Sequence, residues 1–407
     1  MSKPDRFIAV VFAFVTLCGP AAAQDQVTAI RGARIYTVSG PVIDEGVILI
    51  RNGKIEDAGR TVAIPPGATI IEAKGQIVTP GLIDARTTFG VNPIDAWETS
   101  GALVPQVRII ESFELPPDSD WLHEGVTAVY VTPGPENVLG GMGAVVKLAG
   151  RTSNVVVSDA AGMSASLGEV PKQSFGQAAP RTRMGEVALI RDALVRAQDY
   201  SRRMQAGGAA PRDLGLDELG RVLRREVPLR VQASTPEDIM NAVRIGREFN
   251  LRVVIDVGIG AHVVAADLAK AGVPVVVGPN MIGAGFGGRF EFAQHTEENA
   301  ARLHRAGVQI ALSTDDAGGR SVVMEAAISK AHGLPEDQAL RAVTLGAAEI
   351  LGVAARVGSV DRGKDADLVI WDRHPLNTWA KTQKVIVDGR VVFDRSAVPA
   401  PASPGRR

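Results

Sequence analysis

Between about residue 80 and residue 357, short and wholly apolar runs alternate with amphipathic helical stretches, and this repeat limits the possible folds more than any other feature. Candidate strands are Val126 to Val131, Ala144 to Leu148, Leu229 to Val231, Arg252 to Ile255, Val273 to Val277 and Gln309 to Leu312. Candidate helices are Glu186 to Gln205, Pro236 to Phe249, His262 to Ala271 and Thr296 to Ala306. A strand that is apolar on both faces must be covered on both, as in a parallel sheet linked by crossover helices. The length of residues 80–357 suits a (β/α)8 barrel of the TIM type, with an open doubly wound sheet as the alternative. Gly258-Ile259-Gly260 has Val263 at the third glycine position, so it reads as a turn and not as a dinucleotide loop.

The two chain ends have a different rhythm. Residues 24–79 carry short apolar runs broken by turn signals, including Asn52-Gly53 between Val47-Ile48-Leu49-Ile50 and Lys54-Ile55. Residues 358–395 repeat the pattern, with Leu368 to Trp371 followed by a hairpin signal at Asp388-Gly389. Neither end has enough strands to bury a face alone, so the economical reading joins them into one composite β-sandwich. The proline-rich stretch 396–407 reads as a disordered tail.

At the amino end Lys3 and Arg6 precede an apolar run from Phe7 to Leu17, and Ala21-Ala22-Ala23 follows. That order predicts a secretory leader cut near Ala23, and with it a periplasmic or secreted protein without a membrane anchor. The one cysteine, Cys18, falls inside that leader, which leaves the mature protein without disulfides or thiolate ligands. Lysine and arginine total 44 against 45 acidic residues, and aromatics make up 4%. Neither a basic field nor a stacking platform is present, which argues against nucleic acid as a partner.

Val78-Thr79-Pro80-Gly81-Leu82-Ile83-Asp84-Ala85 and the closing Gly358-Ser359-Val360-Asp361-Arg362-Gly363-Lys364-Asp365-Ala366-Asp367-Leu368-Val369 resemble the amidohydrolase superfamily, especially its imidazolonepropionase-like branch. Leu167-Gly168-Glu169-Val170-Pro171-Lys172 and Thr182-Arg183-Met184-Gly185 add to the likeness, which runs over nearly the whole mature chain. The resemblance implies a barrel with a composite small domain. It also implies zinc or another divalent metal, held by His-x-His after the first strand, histidines after the fifth and sixth, and an aspartate after the eighth.

At those positions this sequence departs. Arg86 and Thr88 stand where the resemblance implies His-x-His, Gln232-Ala233-Ser234 follows the fifth strand, and Asp256 follows the sixth. A guanidinium is always charged and has no acceptor, so Arg86 repels a cation. Thr88 offers a neutral hydroxyl, a poor substitute for imidazole. Of the implied ligands Asp315 alone is kept; Glu169 and Lys172 follow the fourth strand as further pocket groups. In a closed barrel the first and eighth strands are neighbours, so Arg86 is predicted to pair with Asp315 in the place of the metal.

Two functional readings follow. By resemblance the chain is a hydrolase of amide-type carbon–nitrogen bonds, with Asp315 as base and Glu169 and Lys172 beside it. By its residues it is a relative with weak or no metal-dependent hydrolysis, one that binds a small amide or cyclic amide or assembles with its own copy or an intact amidohydrolase. Fold does not choose between them.

Overall fold

The computed structural model describes residues 26–397 except 117–118, 151–154, 177, 179, 208–210, 281–289 and 316–320. The expected leader, 1–23, lies outside the described residues, as does most of the expected tail; Arg395–Ala397 form a 3-10 turn.

In chain order the strands are β1 (Val27–Ile35), β2 (Ile43–Arg51), β3 (Lys54–Gly59), β4 (Thr69–Glu72), β5 (Ile77–Pro80), β6 (Leu82–Thr87), β7 (Val126–Val131), β8 (Leu139–Lys147), β9 (Val156–Ser166), β10 (Leu229–Ala233), β11 (Val253–Val257), β12 (Val275–Val277), β13 (Ile310–Leu312), β14 (Leu368–Trp371), β15 (Thr382–Val387) and β16 (Arg390–Asp394). The helices are α1 (Pro93–Ala96), α2 (Asp120–His123), α3 (Glu169–Ser174), α4 (Arg183–Gln205), α5 (Leu214–Leu223), α6 (Pro236–Glu248), α7 (Ala265–Ala271), α8 (Asn299–Arg305), α9 (Val322–Ala331), α10 (Glu336–Ala342) and α11 (Leu345–Ile350).

Both chain ends enter one sheet, ordered β16-β15-β14-β5-β1-β2-β3 with β4 beside β1. Its hairpins turn where the sequence signals them: Asn52 and Gly53 have φ of 50° and 80°, Asp388 and Gly389 of 48° and 73°. Two successive positive φ values match the right-handed twist of the strands they join.

The second sheet runs β6 to β13 in order and is a nearly closed TIM-type barrel. Its seam is stitched by side chains and main chain together. Asp84 of β6 accepts from the Thr314 hydroxyl at 2.6 Å, and the Asp315 N–H donates to the Arg86 carbonyl at 3.2 Å. Helices around it start where the sequence provides caps: Thr182 accepts from Gly185 N–H, and Thr235 from Asp238 N–H with Pro236 in the first turn. Each such cap contributes about 1 kcal/mol. Alternate strand residues, among them Ile83, Ala85, Ala128, Tyr130, Val145, Val254, Val276 and Ala311, pack as one buried cluster with Ala347 and Ala348 of α11.

The strict alternation of strand and helix fails at one place. β8 is antiparallel to both β7 and β9, with no helix between them. The loops at 132–138 and 148–155 are too short for a crossover, so the chain must reverse. The expected strand Ala144 to Leu148 therefore begins at Leu139 and takes in Gly140, Gly141 and Gly143. A Cβ on Gly141 would lie 2.4 Å from the Val107 carbonyl oxygen, and one on Gly143 would lie 2.2 Å from the Tyr130 hydroxyl. These glycines mark close approach, not a turn.

Reversal brings the far end of β8 down to the composite sheet. Lys147, fully buried, sets its ammonium 2.9 Å from carboxylate oxygens of Asp365 and Asp367 and 2.5 Å from Asp388. Lys54 and Arg356 also pair with Asp365, whose pKa is lowered to about 2; burial opposes that shift, and hydrogen bonds from Lys54 and Lys147 outweigh it.

Candidate functional site

The carboxyl ends of the barrel strands gather four charged groups. The ladder between β6 and β7 shifts register between Asp84 and Thr87, and Arg86 reaches the barrel interior, 3% exposed. Its Nη1 pairs with the Asp315 carboxylate, the partner expected from the neighbouring eighth strand. Nη2 donates to Gln232 Oε1 at 2.6 Å, and Nε lies 3.9 Å from Asp256 Oδ2. Burial lowers the Arg86 pKa from its usual value, against the opposing pull of Asp256.

A second arginine completes the arrangement. Arg230, 1% exposed, holds Asp256 with Nε to Oδ2 at 3.0 Å and Nη2 to Oδ1 at 2.6 Å, and also donates to the Ala85 carbonyl at 3.1 Å. Its guanidinium lies over the Tyr130 ring at 4.0 Å. Cation and anion thus alternate along Arg230, Asp256, Arg86 and Asp315, so that each buried charge has an opposite neighbour. Beside them Asp84 is wholly buried, and desolvation pushes its pKa up to about 7 despite bonds from Thr314 and the Arg86 N–H.

The remaining expected residues fall apart into other settings. Thr88 lies one residue beyond β6, half-buried, its carbonyl accepting from Val91 N–H at 3.1 Å, and takes no hydrogen bond to the arginine network among the described residues. Ser234 is buried after β10 and accepts through its carbonyl from Gly260 N–H at 2.8 Å. Glu169 and Lys172 begin and continue α3 and pair with each other at 2.6 Å. Arg183 joins them, 3.3 Å from Glu169 and 3.0 Å from Asp238. Near them Glu186 accepts from Gly168 N–H at 3.0 Å, and burial raises its pKa to about 7. Two histidines make contacts of their own: the His262 backbone N–H donates to Asn299 at 3.2 Å, and a His295 ring nitrogen lies 3.0 Å from the Asn280 carbonyl.

The sequence reading missed Arg230, Tyr130, Asp84 and Glu136. A charge inside the apolar run Leu229 to Val231 was the available signal for Arg230. Glu136, on the loop after β7, is within the electrostatic reach of Arg86, and burial raises its pKa.

The residues present do not fit a divalent metal ion. Both Asp256 oxygens are engaged by Arg230, Asp315 is engaged by Arg86, and a guanidinium fills the space between them. Among the described residues no group of three or more His, Cys, Asp or Glu is arranged to hold such an ion. What the arrangement offers instead is a buried guanidinium held among Asp315, Gln232 and Asp256, a group whose N–H donors suit a carbonyl or carboxylate oxygen.

The sequence pattern of the Amidohydrolase family matches residues 231–392. Amidohydrolase tasK of Hapsidospora irregularis is 29% identical over 400 residues, which cover 87% of this chain and 40% of that longer protein. An imidazolonepropionase of Mesorhizobium japonicum is 25% identical over 390 residues, 84% of this chain and 91% of its own. The crystal structure of an amidohydrolase from Thermotoga maritima superposes with a TM-score of 0.85 at 32% identity, over 90% of this chain and all of that one.

Proposed function

This chain belongs to the amidohydrolase superfamily, on its imidazolonepropionase-like branch, a group of hydrolases acting on carbon–nitrogen bonds, and from that premise we propose that it takes an amide or cyclic amide at its barrel mouth with Arg86 in the place of a metal. Hydrolysis that depends on a bound metal is then weak or absent. The observation that carries this reading is the Arg86 to Asp315 ion pair, closed at the back by Gln232 and Asp256. Metal-assisted hydrolysis needs an ion to generate hydroxide and polarise the carbonyl. A guanidinium donates hydrogen bonds to a carbonyl but binds no hydroxide ligand, so it supports recognition better than water activation.

Metal content of the purified chain, with hydrolysis assays on dipeptide and cyclic-amide panels in excess zinc or manganese and with chelator, tests the proposal. Substoichiometric metal and chelator-insensitive rates are expected; bound metal with metal-dependent turnover would overturn it. Arg86→His with Thr88→His should not restore turnover, because Gln232 and Ser234 still supply no imidazole.

A second reading is favoured by one observation: the chain spans 40% of the length of tasK, which carries a comparable unit within a larger protein. On that reading this barrel works beside an intact amidohydrolase, and sedimentation of the two mixed against each alone tests it. The leader-like order of residues 1–23 supports export to the periplasm or beyond, tested by amino-terminal sequencing of the exported protein.

A further inference from the structure

The barrel has a second concave site at its opposite end, where β10 to β13 begin. A cavity of about 470 Å3 opens there beside the carboxyl ends of α6 and α7, with Pro228, Val253 and Pro274 among its walls. That volume is within the range that encloses a small ligand. Three arginines from three segments line it: Arg225 after α5, Arg247 in the last turn of α6 and Arg252 ahead of β11.

Helix ends and carbonyls, and no carboxylate among the described residues, answer their charge. Glu349, the one carboxylate in the lining, is engaged by Arg341 Nη2 at 2.6 and 2.7 Å and by Gln309 Nε2 at 3.1 Å. Among the described residues the Arg225 side chain donates only to Asn250, to its carbonyl at 3.1 Å and its side chain at 2.9 Å; Arg252 reaches the Arg225 carbonyl at 3.4 Å. No carboxylate pairs with Arg225, Arg247 or Arg252 among the described residues. The whole chain has a net charge of -1, so three cations in one cavity are a local concentration and not the mark of a basic protein.

A cation in the last turn of a helix complements its dipole, which suits Arg247. Arg225 stands just past α5 at φ 62°, the left-handed residue of a helix end whose next N–H, that of Glu226, bonds the Arg221 carbonyl at 3.0 Å. Here the side chain spans to Asn250, itself at φ 53°, and ties two edges of the cavity together.

We infer that this cavity binds a small organic oxyanion, its phosphate or carboxylate head held by Arg225, Arg247 and Arg252 and its apolar body lying against Val253 and Pro274. Planar guanidiniums match such heads through paired hydrogen bonds. The site is distinct from the barrel mouth, so its failure leaves the reading of Arg86 intact.

Calorimetric titration of the full chain tests this with phenyl phosphate, benzoate, inorganic phosphate and uncharged benzyl alcohol. One saturable site for phenyl phosphate or benzoate is expected, weakened roughly tenfold or more in Arg247→Glu/Arg252→Glu. Arg247→Gln and Arg252→Gln serve if the reversal variant does not melt like the parent. Whichever of the first two probes binds better identifies the head group. Absence of saturable binding by both, or equal binding to the variants, overturns the inference, as does inorganic phosphate or benzyl alcohol binding as tightly as the aromatic anion.

Discussion

Arg230 holds Asp256 by two guanidinium hydrogen bonds inside the barrel, at 3.0 and 2.6 Å, and so presents a fixed carboxylate toward Arg86. The active-end charge of this protein is organised from strand five outward, by a residue one turn of the pleat below the position that faces the mouth.

Removing Arg86 takes the cation from Asp315 and a donor from Gln232, while Asp256 keeps Arg230. Arg86→Met is expected to cost about 3–5 kcal/mol in urea or guanidinium unfolding. Arg86→Met with Asp315→Asn should recover a large part of the loss, because it removes a stranded anion together with the cation. Additive losses in the double variant would show that the two residues do not act as a pair.

The pH dependence has a definite sign. Asp84 titrates near 7 when folded against about 3.9 in an unfolded chain. Between those values the folded protein holds a proton that the unfolded chain has released, so stability falls as pH rises from about 4 to 7 and the penalty is constant above that. Its ceiling is about 4 kcal/mol. Asp84→Asn keeps an acceptor for Thr314 and should flatten this slope, leaving the similar contribution of Glu186. Unfolding free energies measured at several pH values in that window would refute this if parent and variant slopes agree.

Lys147→Met should destabilise by about 3–5 kcal/mol, since it strands the buried Asp367 and takes one of three cations from Asp365. The effect should shrink in strong acid. Asp365 has a depressed folded pKa, so its contribution is present above about 4 and lost as pH falls through about 2. Loss of equal size at every pH would point to packing alone.

The hairpins at Asn52-Gly53 and Asp388-Gly389, the composite sheet and the pairing of Arg86 with Asp315 were all legible in the sequence. Turn chemistry is local, and a closed barrel makes its first and last strands neighbours whatever the side chains are. The antiparallel β8 was not legible, because Gly141 and Gly143 look like a loop until Val107 and Tyr130 are seen pressed against them. Nor was the joining of Glu169 with Arg183 and of Arg183 with Asp238, which depends on where α3, α4 and α6 meet.

By itself the sequence determined the family frame, the strand and helix periods, and a cation at residue 86 beside the eighth strand. Only the tertiary structure decided that Arg230 would anchor Asp256, that Lys147 would join barrel to sheet, and that Arg225, Arg247 and Arg252 would share one cavity. The physical reason is range: periodicity and turn chemistry act over a few residues, whereas the pairing of buried charges depends on register and on which distant strands meet.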